Sequence, residues 1–146
     1  MASAVTVDYL SSVLKILMFE SDPDNTVAVD ISWQDFRDFE SFLCTLFHSV
    51  GTGTVVSFAI LGNPQSNGGG TDVNIKSHAL ASQPDAVGDW VFLECLASEF
   101  PPLAVTTLRY VSANYDPGTS TDEFIFTYVF GQPKFAFGGL TAQVIV

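Results

Sequence analysis

The stretch that most narrows what this chain can fold into runs from Asp122 to Phe130. Phe124, Phe126, Tyr128 and Phe130 fall on one side of an extended chain, and Glu123, Ile125, Thr127 and Val129 on the other. A period of two with rings on one face describes a β-strand packed on a core. A ladder of this kind is the inner face of a β-sandwich more often than a binding platform. Leu140 to Val146 alternates again, with Leu140, Ala142, Val144 and Val146 together. Further strands are expected at 26–31, 54–61, 72–77, 90–96 and 105–112. The strand at 54–61 has little polarity on either side, so it is expected to be central or covered on both faces.

Two segments depart from this pattern. Trp33 to about Val50 reads as an amphipathic helix. Ser32 serves as its N-cap, Asp35 stands three residues later, and Trp33, Phe36, Phe39, Leu43, Leu46 and Phe47 make one apolar stripe. Gln34, Asp35, Asp38 and Glu40 line the opposite side with Arg37, and Gly51 ends it. Residues 5–19 fit a helical face through Leu10, Val13, Leu14 and Leu17, and equally a buried strand over Val13 to Phe19. The reading adopted there is a helix that gives way to extended chain near Met18. The fold class expected is mainly β, α+β at most: an antiparallel β-sandwich or barrel with one covering helix at about 33–50. Residues 1–146 are expected to form a single domain.

Charge and composition exclude several function classes. Sixteen acids against five bases leave a net charge of −11, which repels phosphate backbones and anionic membrane surfaces. Neither nucleic acid nor membrane is an expected partner. Hydrophobic residues make up 47% of the chain and charged ones 14%, a balance that points to a dense core or an apolar interface. Cys44 and Cys95 lack the close spacing of a disulfide framework and are read as buried thiols. No apolar run approaches the ~20 residues that span a bilayer. With Asp8 near the start and no basic segment before it, no cleaved signal peptide is expected. The chain is read as a soluble protein made in a cytoplasm.

Chemistry-bearing patterns are few. Asn67-Gly68-Gly69-Gly70 lacks the Gly-Lys-Ser/Thr ending of a phosphate cradle and belongs to a flexible polar loop over 62–71. Cys44 and His48, four apart, would be half of a metal site, with His78 and Cys95 as remote complements, but no second close-spaced pair exists. Asp22, Asp24, Asn25 and Asp30 lack the glycine and glutamate of a calcium loop. No metal, cofactor or catalytic residue is assigned, and the chain is not expected to be an enzyme. Glu94 and Arg109, single charges in apolar strands, are read as a structural ion pair facing one another across adjacent strands.

Pro84-Asp85-Ala86-Val87-Gly88-Asp89-Trp90-Val91-Phe92-Leu93-Glu94-Cys95, Leu108-Arg109-Tyr110-Val111-Ser112-Ala113, Phe58 to Asn63, the glycine loop with Thr71 to Val73, and Thr121-Asp122 before an aromatic strand occur in one chain. Their order resembles the small accessory virion proteins of tailed bacteriophages, some of which are capsid decoration, or cement, proteins. The similarity covers roughly residues 52–146 and is clearest at 84–113. It implies a non-enzymatic protein on the virion's outer face that binds the major capsid protein lattice and itself, with a trimer as the analogous oligomer. Gly88, Glu94 and Arg109 would then be scaffold. Contacts are expected from the loop residues Gln65, Asn67, Gly68, Gly69 and Gly70 and from the uncharged end at Thr141, Val144 and Val146. The alternatives are a tail or head–tail connector component, or a carbohydrate- or peptide-binding β-module that uses exposed aromatics.

Overall fold

A computed structural model describes residues 13–21, 27–51, 55, 57–78, 86–101, 108–117 and 122–133. The expected strand at 140–146, the helix over 5–12 and the acids Asp22 and Asp24 lie outside them. So do Asn25, Thr141, Val144 and Val146. The described strands are β1 (Val13–Glu20), β2 (Val29–Asp30), β3 (Gln34–Asp35), β4 (Phe39–Val50), β5 (Ser57–Asn63), β6 (Val73–His78), β7 (Trp90–Leu96), β8 (Tyr110–Asp116) and β9 (Glu123–Pro133).

These strands form two antiparallel sheets packed face to face and not closed into a barrel. One sheet runs β1-β9-β4-β7; the other runs β2-β8-β5-β6, with β3 also on β8. The aromatic alternation behaves as its period requires. Phe124, Phe126, Tyr128 and Phe130 have no exposed surface. Phe126 meets Tyr115 of the opposite sheet at 4.8 Å between ring centroids, and Phe42 packs edge-on to Tyr128 at 5.0 Å. Ile60, Val111, Ala113 and Phe58 supply the facing layer.

No α-helix occurs among the described residues, and the helix expected at 33–50 is corrected to β3, a turn and the long strand β4. Phe42, Cys44, Leu46 and His48 point inward with no more than a trace of exposure, while Leu43, Thr45 and Phe47 point outward. Because both faces carry apolar residues, a stripe at helical spacing can be picked out of a sequence that alternates. The residues themselves favour strand: Phe, Thr, Cys, His, Ser and Val are weak helix formers. Asp35 does not cap a helix. Its Oδ1 accepts the Arg37 backbone N–H at 3.0 Å, and Phe39 N–H donates to Phe36 O at 3.1 Å, closing a turn into β4. The segment 13–19 is likewise strand throughout, paired to β9 from Val13↔Gly131 to Glu20↔Ile125.

A buried hydrogen bond ties the sheets together. The chain leaves β8 between β2 and β3, so the Ala113 N–H has no strand partner there. The Tyr128 hydroxyl reaches across from β9 and accepts it at 2.7 Å, with Ser112 Oγ at 3.4 Å. An orphaned buried N–H would cost about 1–3 kcal/mol, so this phenol holds a place that phenylalanine cannot. Burial pushes the Tyr128 phenol well above its ordinary pKa and keeps it protonated.

Candidate functional site: the outer face of the β1-β9-β4-β7 sheet

An antiparallel sheet of a sandwich ordinarily turns one apolar face to the core and one polar face to water. The β2-β8-β5-β6 sheet obeys this rule, with Ser57, Asn74, Ser77, Asn114 and Asp116 on its outer side. The other sheet does not. The cross-strand register places its outer residues in rows: Ile16, Val129, Leu43 and Glu94; then Met18, Thr127, Thr45 and Phe92; then Glu20, Ile125, Phe47 and Trp90. A bulge between His48 and Val50 brings Val50 opposite Glu123, extending the face by one more pair. Of the nine large apolar side chains left exposed among the described residues, Ile16, Met18, Phe47, Val50, Trp90, Phe92 and Leu96 stand on this face.

The face has a graded texture. Met18 is 68% exposed on one edge strand and Trp90 61% on the other, whereas Val129, Thr127 and Ile125 between them are half-buried. Trp90 and Phe92, both on edge strand β7, stack at 5.7 Å and 26°, forming a flat aromatic ledge. At the far end a recess of about 300 Å³ lies between Glu20, Ser21, Ser49, Val50, Glu123 and Ile125. The charged side chains at the described register positions of this face are Glu20, Glu94 and Glu123, all exposed and all anionic.

The turn into the ledge is built by Ala86 to Asp89. Asp89 Oδ2 accepts the Ala86 N–H at 3.1 Å, Gly88 takes φ +97, and its N–H donates to His48 O at 2.9 Å. Gly88 is therefore a turn glycine that docks β7 onto β4. Glu94 and Arg109 are not brought together. Glu94 projects outward from β7, while Arg109 precedes β8 in the other sheet and its Nη2 lies 3.8 Å from Asp35 Oδ2. The expected ion pair is replaced by an Asp35–Arg37–Arg109 cluster, in which the Arg37 hydrogen bonds hold the Asp35 carboxyl below its ordinary pKa. Consecutive strands ordinarily pair in one sheet, whereas β7 and β8 lie in different sheets.

The loop residues Gln65, Asn67, Gly68, Gly69 and Gly70 lie on the other sheet, between β5 and β6. Side-chain hydrogen bonds from Asn63 anchor this loop to the end of β5. Buried Asn63 accepts the Gln65 N–H at 2.7 Å and the Gly70 N–H at 3.3 Å, and donates to Gly70 O at 3.1 Å. Gly68, at φ +69, packs so closely on the Trp33 indole that any Cβ there would overlap Nε1.

The metal-like pattern does not assemble. Cys44 and His48 share the inner face of β4, and no group of three or more His, Cys, Asp or Glu suited to a metal occurs among the described residues. Burial pushes the Cys95 thiol up to about 12 and that of Cys44 well above its usual value, so both are inert as nucleophiles. Asp30 accepts the Asn114 side-chain amide at 2.8 Å. No described helix is long and apolar enough to cross a membrane.

No protein-family model matches this chain, and no curated protein does. Solved structures that overlap with it include a protein of Bacillus endospore appendages, described as a novel family of disulfide-linked pili. It is 14% identical over 82% of this chain and 88% of that one, with a TM-score of 0.44. The SPBc2 prophage-derived protein YomS is 12% identical over 80% and 94%, with a TM-score of 0.39. A chain of the Triatoma virus empty capsid is 11% identical over 89% and 96%, with a TM-score of 0.36. Overlaps this loose establish no shared function.

Proposed function

We propose that this chain is a non-enzymatic virion protein that decorates a tailed-phage head, binding the major capsid protein lattice and stabilising the mature shell. The observation that carries the reading is the apolar outer face of the β1-β9-β4-β7 sheet. Isolated exposed apolar residues are ordinary on a monomer, but seven large ones gathered on one sheet face mark a surface made to be covered. A rigid two-sheet scaffold with a flat apolar side suits adhesion across neighbouring capsomers. The sequence resemblance supplies the identity of the lattice. The acidic balance supports a location outside the shell, away from packaged DNA. The four ladder aromatics are all buried, so a carbohydrate- or peptide-binding module built on them loses its platform.

Co-sedimentation tests the reading. Purified chain mixed with expanded heads of the same phage is expected to pellet with them, and to pellet less with unexpanded shells. Recovery with purified tails instead of heads would transfer the protein to the tail or connector.

A further inference from the structure

The structure points to what covers this face, and the inference deepens the reading as a decoration protein and rests on it. We infer that the outer face of the β1-β9-β4-β7 sheet docks on a different protein, whose contact surface is apolar at its centre and carries lysine or arginine at its rim. Charge decides the occupant. The face is apolar through Met18, Phe92 and Trp90, and its charges are Glu20, Glu94 and Glu123. A second copy cannot complement them face to face, because its own face brings no cation among the described residues and would bury these acids against apolar side chains. Nor do its described cations stand ready elsewhere. Lys15 donates to Gln34 Oε1 at 2.8 Å and lies over the Phe130 ring. Arg37 and Arg109 are gathered by Asp35, and Lys76 pairs with Glu99 at 2.9 Å. Three carboxylates around an apolar field repel wrong partners of like charge and steer a basic one into register. Nucleic acid offers cations to none of them.

A small probe tests this without any phage particle. Trp90 sits on the face, and a Trp33→Phe background leaves it as the sole indole of the two in the chain. Its fluorescence is titrated with three synthetic peptides alternating leucine with arginine, leucine with glutamate, and serine with arginine. The Leu/Arg peptide alone is expected to shift Trp90 emission to the blue and saturate. The Glu20→Gln/Glu123→Gln variant is expected to bind it about tenfold more weakly, with a flatter salt dependence.

An equal response to the Leu/Glu peptide would remove charge complementarity, and an equal response to Ser/Arg would reduce the effect to net charge. Either overturns the inference. So does a dimer in sedimentation velocity that Phe92→Glu dissolves, which would make a second copy the occupant. Trp90 shielded from acrylamide in the free chain would make a segment of this chain the occupant, with the same consequence. If the peptides behave as expected while heads are not bound, the docking chemistry stands and the decoration role falls. If heads are bound but the peptides show no preference, the role stands and this inference falls.

Discussion

Phe126→Ala should lower the stability of the folded chain by about 3–5 kcal/mol, a large share of the about 5–15 kcal/mol that a folded domain ordinarily possesses. Phe126 has no exposed surface and lies between the sheets, 4.8 Å from Tyr115 and 6.4 Å from Phe58. Neither neighbour can collapse into the space, because both belong to hydrogen-bonded strands of the facing sheet. The loss therefore combines transfer free energy with an unfilled cavity. In a chain of 146 residues this corresponds to a melting temperature lower by about 10 °C or more. Ile125→Ala, one residue away on the outer face, is expected to cost about 1 kcal/mol or less. Thermal unfolding followed by circular dichroism separates the two. Equal losses would mean that the face assignment of β9 is wrong.

Gly51→Ala should cost about 3 kcal/mol or more, against about 1–2 for Gly88→Ala. Both glycines occupy the left-handed half of backbone space, at φ +111 and +97, where a Cβ is strained. At Gly88 the added methyl meets nothing within 4 Å, so strain is the whole effect. At Gly51 it would overlap Asp122 Oδ1 and lie 2.9 Å from the Asp122 Cα, so backbone must move. Asp122 is itself buried, with Oδ2 4.0 Å from His48 Nε2, and displacing it disturbs the corner where β4 ends and β9 begins. Urea titration of the two variants measures the difference directly. A Gly88→Ala loss as large as that of Gly51→Ala would remove Asp122 from the account.

How much of this was legible in the sequence depends on the element. β9 could be read because its two faces differ: rings on one, smaller side chains on the other. β4 could not, because Phe42, Leu46, Leu43 and Phe47 are apolar on both faces and periodicity cannot then choose between 2 and 3.6. That same ambiguity was the trace of the candidate site. Residues 33–50, expected as a helix, contain this strand, and its second apolar side is part of the exposed face of the sheet. Ile125, Thr127 and Val129 carried the same signal beside the aromatic ladder. Trp90 and Phe92 belong to the stretch that carries the family resemblance, and nothing local shows that they, and not Val91 and Leu93, face outward. Glu94 and Arg109 failed for a different reason. Strands consecutive in sequence are ordinarily sheet neighbours, and no local feature reveals that β7 and β8 lie in different sheets.

On the proposed role, the outer face of the β1-β9-β4-β7 sheet is the surface by which this chain holds a phage head. Phe92→Glu places a charge in the middle row of that face, on a residue already 54% exposed, so the fold should tolerate it. The decisive measurement is the melting temperature of expanded heads with saturating wild-type chain, with Phe92→Glu, and with the polar-face variant Asn74→Glu as control. Wild-type and Asn74→Glu chains should raise it equally, and Phe92→Glu should leave it at the value for bare heads. Protection by Phe92→Glu equal to that of wild type would mean that this face does not hold the head.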